Sequence, residues 1–138
     1  MQLAAAIAAA VAFVWLGMVL AISFLEAPLK FRAPDVTVRI GLGIGRIVFR
    51  ALNRVEIVFA LVLVGAAVAV PALRVAVGAL AVLLAAQLGV LRPRLNRRSD
   101  RVLAGENVPR SREHLIYVAA EAGKVVLLVA AGVLALGA

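Results

Sequence analysis

Glu121 and Lys124 lie inside the last apolar stretch of the chain, three residues apart, close enough on a helix for their charges to pair. With His114 and Tyr117 they fall at i, i+3, i+7 and i+10, one continuous stripe of a helix. A second stripe is made by Arg39, Gly43, Arg46, Arg50 and Asn53, and Glu56 follows it just as an uninterrupted apolar run begins. Guanidinium and ammonium groups attract anions, whereas carboxylates balance such charges or carry protons. Glu26, at the end of the first apolar stretch, is a further carboxylate near an apolar boundary. Glu26, Arg46, Arg50, Asn53, Glu56, Tyr117, Glu121 and Lys124 therefore form the candidate ion or substrate pocket.

Other chemistries find little support. There is no cysteine, which removes disulfides and thiolate sites, and one histidine with two methionines makes no soft-metal or bis-histidine haem site. No metal or other cofactor is expected. Ser23, Ser99 and Ser111 have no elbow motif and no triad partner around His114. "GLGIG" (Gly41–Gly45) follows no strand, and Arg46 stands where the third glycine of a dinucleotide fingerprint would be. The expected protein is not an enzyme.

The elements that position these residues are membrane spans. The 138 residues are 65% hydrophobic, against about 45–50% apolar residues in soluble proteins. Four apolar stretches stand out, at about 3–25, 51–70, 75–91 and 115–137, and a helix needs about 20 residues to cross the hydrocarbon. The first lacks a basic leader and exceeds a typical signal-peptide core, so it is read as a retained span. The fold expected is all-α, an integral membrane antiparallel four-helix bundle forming a single domain over 1–138. Gly17, Gly65, Gly78, Gly89, Gly123 and Gly132 would let the spans approach closely, and Gly41 with Gly45 forms a GxxxG pair.

Charge sets the orientation. The net charge is +8, concentrated in the connections 26–50 and 92–114. The first holds Lys30, Arg32, Arg39, Arg46 and Arg50, with Arg54 beyond it; the second holds Arg92, Arg94, Arg97, Arg98, Arg101, Arg110 and Arg112. The turn after the second span carries only Arg74. The positive-inside rule places both basic connections in the cytoplasm and both termini on the extracytoplasmic side of a bacterial inner membrane. The basic rim would meet anionic lipid headgroups rather than nucleic acid, since no aromatic interleaving supports base stacking.

Counting back from Pro71 puts Asn53, Arg54 and Glu56 just inside the hydrocarbon, with Arg50 at the rim. Arginines snorkel to water; the shorter Glu56 needs a partner or a wet cavity. Pro34-Asp35 would start this segment, with Asp35 as cap. Residues 36–70 are then either one long helix or an interfacial helix hinged near Gly41 and Gly45. Trp15 is mid-span and reads as a packing residue, and Gln87 lies just over one turn before Arg92.

Some of these residues also carry a family likeness. Trp15, Gly17 and Met18, "APLKF" (Ala27–Phe31) with Pro34, "GIGRIVF" (Gly43–Phe49) and "LRPR" (Leu91–Arg94) resemble small bacterial relatives of the transmembrane protein 205 family, whose bacterial members are largely a domain of unknown function. The resemblance implies a four-span fold and a role in tolerance to metals or toxic compounds, with no established catalytic residues.

Intramembrane ionisable groups cost about 2.5–3.5 kcal/mol each on insertion scales and tend to mark function. One expectation is a cytoplasm-facing charged pocket that binds or transports a small ion or anionic solute, as a homo-oligomer where transport is involved. Arg46, Arg50 and Lys124 would attract the anion there. The alternative is a non-catalytic accessory or assembly subunit of a larger membrane complex, in which the charges only pair and orient the helices.

Overall fold

The computed structural model describes residues 2–106 and 112–138; Arg110 and Ser111 of the second basic connection lie outside them. Among the described residues the chain is helical and has no strand. Four helices are long and apolar enough to cross a membrane: α1 (Leu3–Arg32), α2 (Val38–Ala69), α3 (Pro71–Leu103) and α4 (Arg112–Leu136). Length and composition together mark a multi-pass membrane protein.

α1 and α3 run well past their apolar stretches. Each widens into a π-helical turn on the way, α1 at Leu20–Glu26 and α3 at Gln87–Leu91. Both wide turns end two residues before a proline, Pro28 and Pro93. A proline inside a helix donates no hydrogen bond and pushes its ring against the carbonyl four residues earlier. That carbonyl belongs to Phe24 in α1 and Gly89 in α3, each inside the widened stretch. The extra residue per turn relieves the clash and lets the helix continue.

α2 is one unbroken helix through Gly41 and Gly45, so the hinge that the glycines allowed is not used. Its cap is Thr37 and not Asp35: the Thr37 hydroxyl accepts from the Ile40 N–H at 3.2 Å. Asp35 instead adopts a left-handed backbone, φ 66°, within the turn between α1 and α2. Asparagine, aspartate and glycine tolerate that conformation best, which frees the next polar residue to cap. Thr37→Ala should lower stability by about 0.5–2 kcal/mol, near the lower end because the bond is exposed. Thermal unfolding monitored by circular dichroism checks it.

α1 packs against α2 and α4, and α3 packs against the same two helices. The tightest packing is built from small side chains: Ala5, Ala8, Ala9 and Ala12 of α1, Ala66 and Ala67 of α2, and Ala131 and Ala135 of α4 are all buried. Gly132 lies under the Phe13 ring, where an added methyl carbon would come within 2.6 Å of the ring. The GxxxG pair seats the end of α1, with Phe31 over Gly41 and the Lys30 ammonium over Gly45. Small residues are what allow helix backbones to close together where lipid supplies no hydrophobic drive. The outward faces carry large apolar side chains, among them Val14, Leu61, Val68, Val82 and Val126. Water would penalise that surface and hydrocarbon would not.

Candidate functional site

The alanine-rich packing gives way, along all four helices, to a layer of polar side chains. Trp15 of α1, Glu56 of α2, Gln87 of α3, and Glu121 and Lys124 of α4 are each at most 2% exposed. Their positions along the helices agree. At 1.5 Å per residue, Glu56 lies about 21 Å from the Val70 end of α2, and Gln87 about 24 Å from Pro71 of α3. Trp15 and Lys124 each lie about 18 Å from their termini of α1 and α4.

The hydrogen bonds join into a single network. Lys124 Nζ bridges the two carboxylates, donating to Glu56 Oε2 and lying 2.8 Å from Glu121 Oε1. The Trp15 indole N–H donates to the same Glu56 oxygen at 2.8 Å. Gln87 Nε2 donates to the same Glu121 oxygen at 2.9 Å. Each carboxylate thus receives two donors on one oxygen. The other oxygens, Glu56 Oε1 and Glu121 Oε2, are buried and have no hydrogen-bond partner among the described residues, and Gln87 Oε1 shares that condition.

A cleft of about 180 Å³ opens between α2 and α3. It is lined by Arg46, Arg50, Asn53, Arg54 and Ile57 of α2, with Arg92 and Asn96 of α3. Arg46, Arg50, Asn53 and Ile57 follow one another at helical spacing, so one face of α2 forms a wall. Arg46 pairs with Asp100. Arg50 and Arg54 have no acidic partner among the described residues. The Arg92 guanidinium lies over two aromatic faces, 4.6 Å from the Phe49 ring centre and 4.4 Å from that of Tyr117. Phe49 and Tyr117 meet edge to face, with their centres 6.2 Å apart. This cage holds the Arg92 plane by cation–π attraction, while its Nε is buried without a hydrogen-bond partner.

The eight residues proposed from sequence therefore divide three ways. Arg46, Arg50 and Asn53 line the cleft. Glu56, Glu121 and Lys124 belong to the buried network, where Lys124, grouped with the arginines as an anion attractor, is engaged by two carboxylates. Tyr117 connects with the cleft through Arg92. Glu26 joins neither; its neighbour is Lys30, 3.8 Å away. The residue that α1 contributes to the polar layer is Trp15, which had read as packing alone; it does pack, with its ring 6.3 Å from that of Phe59.

Arg54, Gln87, Arg92 and Asn96 were outside the proposed set. Gln87 had a usable signal, as the lone polar residue inside the third apolar stretch. For Asn96, within an arginine-rich run, the sequence offers none. Among the described residues no group of three or more histidine, aspartate and glutamate side chains is disposed to hold a metal ion. Comparison with protein-family models, with curated proteins and with solved structures returns no match.

Proposed function

We propose that this chain is a bacterial inner-membrane protein that binds a small anionic solute in the arginine cleft between α2 and α3. The helices would form an antiparallel bundle with both termini on the extracytoplasmic side. The basic ends of α2 and α3 would then face the cytoplasm, following the bias in lysine and arginine.

One observation carries this reading. Arg46, Arg50, Arg54 and Arg92 share one cleft, and among the described residues only Arg46 is answered by a carboxylate. Like charges gathered without counter-ions repel, and an incoming anion relieves that repulsion. Guanidinium forks match oxyanions by paired hydrogen bonds. Asn53 and Asn96 add uncharged donors at the same cleft. Transport would require an oligomer, since four helices leave little room for a path with two gates.

Arg50→Gln is the test. Arg50 is exposed and engaged by no acid, so its loss should leave the unfolding temperature unchanged. Affinity for inorganic phosphate, measured calorimetrically on detergent-purified protein at fixed ionic strength, should fall about tenfold or more. Equal affinity in the wild type and the variant, or no binding by either, would sink the proposal. Flux of the same anion in proteoliposomes separates transport from binding.

A second reading, that of an accessory subunit, is favoured by Gly17, Gly65 and Gly78, which have open space around them. Such small-residue surfaces suit partner helices. Stable stoichiometric co-purification of a second membrane protein would support it over the first.

A further inference from the structure

The buried network has an odd charge. Glu56 and Glu121 bring two negative charges and Lys124 one positive, all at most 2% exposed. Every donor in the network is directed at the same two oxygens, Glu56 Oε2 and Glu121 Oε1. Three buried acceptors, Glu56 Oε1, Glu121 Oε2 and Gln87 Oε1, are left without a donor. The two carboxylates are tied to one ammonium nitrogen, which keeps them close together. An uncompensated charge at this depth is expensive, and bare acceptors next to it add to the cost. What is missing is thus a single positive charge able to satisfy oxygen acceptors.

We infer that the network is a binding site for one monovalent cation, a proton or an alkali-metal ion, held between Glu56 and Glu121 with the Gln87 carbonyl oxygen as a further acceptor. The other groups facing it do not supply the charge. Trp15 of α1 donates but is neutral, and Asn53 of α2 is neutral and lines the cleft. Arg92 of α3 is placed on the Phe49 and Tyr117 rings and forms no ion pair with either carboxylate. Lys124 is already counted. This site is separate from the arginine cleft, and its ligand has the opposite sign.

The test follows thermal unfolding of the full chain in nanodiscs, at constant ionic strength in choline, sodium or potassium chloride, from acidic to mildly alkaline buffers. A native state that holds an extra proton loses stability as pH rises, because the unfolded chain then binds fewer protons than the folded one. A bound proton predicts an unfolding temperature that falls by about 3–6 °C per pH unit, equally in all three salts. A bound alkali ion predicts a higher unfolding temperature in sodium or potassium than in choline at alkaline pH. Glu121→Gln removes the odd charge and should flatten whichever response is seen; Glu56→Gln does the same if the first variant does not fold. Infrared spectra of the wild type need no variant: a carboxylic acid band that disappears at high pH identifies the proton. A wild-type response that is flat in both arms, with no such band, overturns the inference. So does a response that both variants retain in full.

Discussion

Lys124→Met should destabilise the protein by about 3–5 kcal/mol, the expected cost of leaving buried charge without its partner. Lys124 is fully buried and is the one ammonium in contact with both Glu56 and Glu121. Methionine fills nearly the same space, so packing accounts for little of the loss. The cost comes from two adjacent carboxylates that lose the ammonium bridging them. Accumulation in the membrane should drop sharply, and the unfolding temperature of any purified protein should fall with it.

The compensated variant is more informative. Combining Lys124→Met with Glu56→Gln and Glu121→Gln removes all three charges and retains an acceptor oxygen for Trp15 and for Gln87. Neutral replacements of buried ion pairs are often tolerated, so most of the lost stability should return. If the charges serve only to orient the helices, this variant is also functionally normal. If the network handles an ion, the fold recovers and the pH or cation response stays lost. Failure of the triple variant to regain stability would show that the penalty of Lys124→Met is not electrostatic.

Trp15→Ala is the second large effect, expected at about 3–5 kcal/mol. The indole is completely buried, packs near Phe59 and bonds Glu56, so its removal opens a cavity and orphans an acceptor together. Trp15→Phe separates these contributions. It keeps most of the ring volume but takes one of two donors from Glu56 Oε2, and should cost about 1–3 kcal/mol. That cost should shrink when Trp15→Phe is made on a Glu56→Gln background, where a neutral amide depends less on the lost donor. Unfolding temperatures of the four proteins form a double-mutant cycle, and zero coupling would mean that the indole contributes only packing.

Much of the architecture is legible in composition and periodicity. Hydrocarbon tolerates only backbone that bonds within its own segment, so long apolar runs of this kind had to be helices. The depths of Glu56 and Gln87 along their helices were readable too, because rise per residue converts distance from Pro71 or Arg92 into ångströms, whereas α1 contributes Trp15 and not the Glu26 expected from its inner end. Glu121 and Lys124 were recognisable as a pair because they lie three apart on one helix. The wide turns before Pro28 and Pro93 and the cap at Thr37 were less visible. They depend on how one local conflict is relieved among several permissible ways.

What the sequence by itself determined is therefore the number of long apolar helices, the ends that carry charge, and the polar stripes on α2 and α4. What only the tertiary structure decided is which stripes meet. Trp15 and Glu56 are 41 residues apart, Gln87 and Glu121 are 34 apart, and Glu56 and Lys124 are 68 apart. Helical periodicity fixes the direction of a side chain around its own axis. It says nothing about the rotation of that axis or its slide against a neighbour. Those are set by the alanine and glycine contacts of α1, α2 and α4. Asn53 and Glu56 show the consequence: about 60° of rotation separates them on α2, so one reaches the cleft and the other is sealed inside with Lys124.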